Sequence, residues 1–242
     1  MKLTELCLAT RDITAQRSFY AQTLGLPLLE DTAEAITMRV GATRLTFTLS
    51  SWEDSTYHLA FTVPRNKLTA AKEWLLARVS LLTADDRDEF DSVSWDARMV
   101  YFRDPAGTIL ECIARRTLPN DTPGPFGPHD LLCVSEVGLP VDDVANRVRL
   151  LQDVLGIAPY KEQSATFAPL GDEHGLLIVV KEGRPWFPTA TRSVAAPASL
   201  SIQGAHHRHH DLLPLPYTIT VRVDDDKKEE APCDAGGRAG KI

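Results

Sequence analysis

Five residues of this chain recur at one fixed spacing. Glu5, Leu8, Asp12, Leu24 and Gly25 return in the same order as Glu136, Leu139, Asp143, Leu155 and Gly156, each shifted by 131 positions (136 − 5). A fixed internal period marks a chain built from repeated supersecondary units, each too small to bury its apolar face alone. Each copy opens with a strand, reaches an aspartate suited to cap a helix, and closes the helix on a glycine.

The pattern between these markers fills in the unit. Residues 3–10 alternate as a half-buried strand, with Leu6 and Leu8 on one face and Glu5, Cys7 and Ala9 on the other. Ile13, Phe19, Tyr20 and Leu24 give the next helix its apolar stripe, and two short strands over 36–39 and 44–49 turn at Gly41. The order repeats from His58. A strand over 58–63 precedes a helix carrying Leu68, Ala71, Leu75, Leu76 and Val79 on one face. A strand over 99–102, the turn Asp104-Pro105-Ala106-Gly107 and a return strand over 108–113 follow.

Residues 118–130 are rich in Pro and Gly and read as a linker between a domain over 1–117, holding two units, and a second domain over 131–223. In that second domain Val144, Val148, Leu151 and Leu155 mark a helix, but the last unit is degenerate. Strands fit 198–202 and 216–222, separated by a histidine-rich loop (His206, His207, His209, His210) with no room for a helix. The charged and then Gly-rich stretch 224–242 reads as a disordered tail.

Composition limits the partners. Apolar residues make up 43% and charged residues 24%, ordinary for a globular protein, and a net charge of −7 argues against a nucleic-acid surface. No apolar run approaches the ~20 residues that span a bilayer. The four cysteines are scattered, which fits neither a zinc site nor a disulfide framework, so a cytoplasmic setting is expected.

Strand parity selects candidate functional residues. If Leu6 and Leu8 pack against helices, Glu5 faces the concave side; by the same alternation so do His58, beside Leu59, and Glu111, between Leu110 and Cys112. A lone strand histidine is more often a core or edge residue than a ligand, and a glutamate near a strand start is usually solvated. Glu111, inside Thr-Ile-Leu-Glu-Cys-Ile, is more telling, because a buried carboxylate needs a cation, metal or arginine, beside it. The histidine-rich segment reads first as a solvated loop, and Trp186-Phe187 as a packed corner rather than a platform for substrate.

Phe19-Tyr20 with Leu24-Gly25-Leu26, followed by Val100-Tyr101-Phe102-Arg103-Asp104-Pro105-Ala106-Gly107-Thr108-Ile109-Leu110-Glu111, resembles the vicinal oxygen chelate superfamily. That group includes glyoxalase I, bleomycin and fosfomycin resistance proteins and extradiol dioxygenases. The resemblance covers 3–115 well and 131–183 moderately. It implies an α+β fold of tandem βαβββ modules curled into cup-shaped mixed sheets, here in two domains with the last module degenerate. It also implies a divalent metal ion held by the first strand of each module and the last strand of the second, which places Glu5, His58 and Glu111 as ligands. The first module's last strand offers only Thr46 or Thr48, which are poor ligands.

One imidazole and two carboxylates suit Lewis-acid chemistry better than the two-histidine, one-carboxylate set of iron oxygenases. The expectation is therefore a metal-dependent lyase or isomerase acting on a small oxygenated molecule, with Glu5 or Glu111 as the base. The rivals are a metal-free protein that binds or sequesters a small molecule, and an interaction module with a dead site. Glu136 matches Glu5 but has no visible partners, so the second half is expected to lack a working site. The degenerate last unit leaves a strand edge that could pair with a second copy as a homodimer.

Overall fold

A computed structural model gives the fold, with residues 1–53 and 55–223 described; the tail over 224–242 lies outside the described residues. The strands are β1 (Lys2–Thr10), β2 (Leu28–Asp31), β3 (Ala35–Val40), β4 (Thr43–Leu49), β5 (His58–Thr62), β6 (Phe90–Ser92), β7 (Ala97–Arg103) and β8 (Ile109–Arg115) in the first half. The second half supplies β9 (Cys133–Val141), β10 (Phe167–Asp172), β11 (Gly175–Lys181), β12 (Ala198–Gln203), β13 (Arg208–Asp211) and β14 (Tyr217–Arg222). Helix α1 (Ile13–Arg17) runs on into a wide π-turn over Ser18–Thr23, α2 covers Leu68–Leu76 and α3 covers Val144–Leu155. Among the described residues no helix is long and apolar enough to cross a membrane.

The repeated markers act as read. The Asp12 carboxylate accepts from the Ala15 amide at 2.8 Å and Asp143 from the Asn146 amide at 3.0 Å, capping α1 and α3. Gly25 and Gly156 carry φ of +67° and +69°, the left-handed region where a side chain is strained. On α2, Leu68, Ala71 and Leu75 are buried, but Leu76 is 54% exposed: it lies one residue, about 100°, past Leu75 and so off the stripe. Alternation gave no signal for β2, exposed throughout, or for the three-residue β6. The histidine-rich segment is not all loop: Arg208–Asp211 forms β13, pairing with β14 at the sheet edge.

The strands build two seven-stranded mixed sheets. The first runs β13-β14-β12-β1-β4-β3-β2 and the second β10-β11-β9-β5-β8-β7-β6. The units therefore do not pair within each half. The first joins the fourth through β1 and β12, and the second joins the third through β5 and β9, both antiparallel. The segment after β8 explains why. Asp130 forms a buried ion pair with Lys67 at the start of α2, and the Leu132 amide donates to the Thr62 carbonyl at 2.9 Å, so β9 is delivered beside β5. Residues 118–130 are thus a packed connector.

Two stretches of the recognised pattern also meet across units. Tyr20 Oη, in the π-turn, and Gln16 Nε2, on α1, donate to Asp104 Oδ2 at 3.2 and 2.9 Å, while the Thr108 amide donates to Oδ1 at 2.9 Å. Burial pushes the Asp104 carboxyl up to about 6, against these hydrogen bonds. The folded state thus holds the Asp104 proton more tightly than the unfolded chain. Its contribution to stability is complete below about pH 4 and is lost as pH rises through about 6, by up to about 1.4 kcal/mol per pH unit. Urea midpoints of wild type and Asp104→Asn between pH 3.5 and 7 should show wild type losing ground to the variant across that window; a pH-independent difference would refute the assignment.

Candidate functional site

The outer faces of both sheets and the helices share one large core, which takes Leu6, Leu8, Leu59, Phe61, Leu110 and Cys112. A smaller apolar cluster lines the inner face of the second sheet and takes Ala60, Ile109, Ile113, Ile178 and Trp186. The alternation read from β5 and β8 therefore holds, and His58 and Glu111 project into the second sheet's cup.

They meet there with Glu136. His58 Nε2 lies 3.7 Å from Glu111 Oε2 and 4.0 Å from Glu136 Oε2, and one donor atom from each residue falls within 4.8 Å of the others. All three are buried. Register accounts for the meeting, since Ala60 on β5 faces Glu111 on β8 and Glu136 on β9. A β-bulge shifts the β5–β9 register between Ala60 and Phe61, where Ser135 sits as the extra residue.

Glu5 does not join them. It lies on β1 of the other sheet, where its carboxylate accepts from Ser201 Oγ at 3.0 Å and stands 3.5 Å from Arg222. Glu136, expected to be a remnant without partners, occupies the third corner instead. Parity fixed the face of each strand correctly, but a face does not name the neighbouring strand. The cue that could have found Glu136 was the repeat itself, read with the third unit beside the second.

Arg115 is the other residue the sequence reading passed over. Two positions beyond Ile113 on β8, it is only 1% exposed. It donates to Glu136 Oε1, to Ser135 Oγ at 3.1 Å and to Thr62 Oγ1 at 3.2 Å. Burial holds the Glu111 carboxyl well above the ordinary range, and the adjacent Glu136 raises it further, against the pull of Arg115 and a hydrogen bond from Tyr101. Burial likewise raises Glu136, with Arg115 opposing. Burial pushes the His58 imidazole down to about 4, so it is neutral near pH 7.

The cluster forms the floor of a cavity of about 420 Å³. Trp186 stacks on His58, ring centroids 5.0 Å apart. A Cβ on Gly138, two residues beyond Glu136, would stand 2.5 Å from the Trp186 ring and 3.2 Å from His58 Cβ, so glycine is required for that stacking. Trp186 is thus both a packed corner and a wall of the site. Ile178, opposite Gly138, holds on β11 the place that Glu111 holds on β8, so the cluster has three polar corners and one apolar one.

Among solved structures, a Bacillus subtilis protein named "putative dioxygenase" superposes with a TM-score of 0.62 at 15% identity, covering 91% of this chain and 85% of its own. Glyoxalase I from Zea mays superposes with a TM-score of 0.56 at 14% identity, covering 91% of both chains. The fold is that of the vicinal oxygen chelate superfamily. No protein-family model and no curated protein matches the sequence. The vicinal oxygen chelate fold confirms tandem α+β modules in curled sheets; at this identity it does not carry an activity with it.

The donor set can be tested against a divalent ion. Ligand atoms around such an ion stand roughly 3–4 Å apart, close to the spacings found here. The charges also fit. Burial raises both carboxyls, and Arg115 alone is named as opposing that on Glu136, so a divalent ion would supply the counter-charge that lets both ionise. A neutral histidine offers the lone pair that a ligand needs.

Proposed function

We propose that the chain is a divalent-metal-dependent enzyme of lyase or isomerase type acting on a small oxygenated molecule, with His58, Glu111 and Glu136 holding the ion. The convergence of two buried carboxyls and a neutral, buried imidazole on one point carries this reading. The ion would supply Lewis-acid polarisation of paired substrate oxygens. Arg115 donates to Glu136 Oε1 and opposes the upward pull of burial on it, which makes that residue a fixed ligand. Glu111, with its raised carboxyl against Tyr101, is the group suited to take and return a proton. One histidine with two carboxylates departs from the set that activates oxygen on iron, so proton transfer is favoured over dioxygenation.

Metal analysis tests this directly. Protein purified without a nickel column, with His206, His207, His209 and His210 all changed to Ala, should retain roughly one divalent ion per chain, as three protein ligands with open positions imply. Glu111→Ala and Glu136→Gln should each abolish that stoichiometry. Absence of a stoichiometric ion from the parent protein would sink the proposal and favour the metal-free binding protein, with the two carboxylates sharing a proton.

A further inference from the structure

The walls above the His58–Glu111–Glu136 floor are unusually aromatic. Phe90, Trp95, Tyr101, Phe167, Trp186 and Phe187 all line the cavity. Phe187 is 52% exposed, yet it stands edge-on to Phe90 at 4.8 Å and to Tyr101 at 5.5 Å, forming the outer end of the aromatic wall. An apolar ring left at a cavity mouth has its partner elsewhere, and a flat ligand between such walls supplies one.

Charge at the mouth points the same way. Arg184 lines the cavity with its guanidinium 5.0 Å over the Phe167 ring, and no carboxylate among the described residues pairs with it. The other basic groups near it are paired. Arg87, which also lines the cavity, stands 3.7 Å from Asp85, and Arg115 pairs with Glu136. Arg184 is therefore a positive charge held over an aromatic face and free to bind an anion, in a chain whose net charge is −7.

We propose that the cavity takes a planar aromatic ligand bearing a carboxylate, its rings between the aromatic walls and its anionic group on Arg184. This rests on the reading of the cavity as the enzyme's substrate site, and it adds the substrate class and a specificity-determining residue.

The test uses 2-naphthoate, its neutral isostere 2-naphthamide and the non-aromatic anion cyclohexanecarboxylate, titrated against tryptophan fluorescence in excess EDTA. Trp95 and Trp186 report from the walls. 2-Naphthoate should bind at least about tenfold more tightly than either comparison compound, the factor expected for a charge-assisted hydrogen bond. Arg184→Gln should reduce naphthoate to the affinity of naphthamide and leave naphthamide unchanged. Equal affinities in wild type, an unchanged naphthoate affinity in Arg184→Gln, or no saturable binding would each overturn the proposal. The chelator removes any contribution from an ion, and metal content is measured separately, so failure here and failure of the metal reading are distinguishable.

Discussion

Arg115→Met should lower the unfolding free energy by about 3–5 kcal/mol, the range for removing one partner of a buried ion pair. Among the described residues the guanidinium is the only cation shown against the two carboxylates, and it donates to Glu136, Ser135 and Thr62 together. Methionine would fill most of the volume and leave Glu111 and Glu136 facing each other uncompensated. Two controls separate charge from packing. Adding Glu136→Met should recover most of the loss, because a buried pair replaced on both sides by apolar groups of similar shape costs little. A divalent ion in excess should raise the melting temperature of Arg115→Met more than that of wild type, because the site then has a greater charge deficit to fill. Urea denaturation and thermal melts read both. A loss below about 1 kcal/mol, the range for exposed pairs, would show that Arg115 is not the counter-charge assigned here.

Lys67→Met is expected to cost about as much, roughly 3–5 kcal/mol, for the same reason at a different place. Lys67 and Asp130 are 4% and 2% exposed, with Nζ at 2.9 and 3.1 Å from the two carboxylate oxygens. Asp130 also accepts from Thr122 Oγ1 at 3.1 Å and from the Gly127 amide at 3.0 Å, so its charge organises the whole turn ahead of β9. Arg65 and Asp121, next along the same connector, form an exposed pair and supply the control. Arg65→Gln should leave the urea midpoint nearly unchanged. If urea titrations find the two variants equally mild, the connector does not hold β9 in place. Because β9 carries Glu136, Lys67→Met should also lower bound metal in the folded fraction, whereas Arg65→Gln should leave it unchanged.

Much of this molecule could be read from the chain alone. Asp12 and Asp143 cap helices, and Gly25 and Gly156 end them, because capping and left-handed turns depend on a few adjacent residues. The faces of β5 and β8 were legible for a similar reason: side chains alternate along a strand whatever lies beside it. That was enough to put His58 and Glu111 on one surface. Pairing was not legible, because hydrogen bonds between strands carry no residue code that names the partner. The chain offered two adjacent units in each half, and packing the first two together would have brought Glu5 to His58. The folded chain instead holds β9 against β5 through Lys67–Asp130 and the Thr62–Leu132 hydrogen bond, and it pairs β1 with β12. The repeated unit, its caps, its strand faces and two corners of the cluster follow from local patterns. That Glu136 is the third corner, that Glu5 belongs to the other sheet, and that Arg115 supplies the buried counter-charge follows from packing. These are contacts between distant segments, set by which apolar faces and buried charges can be satisfied together.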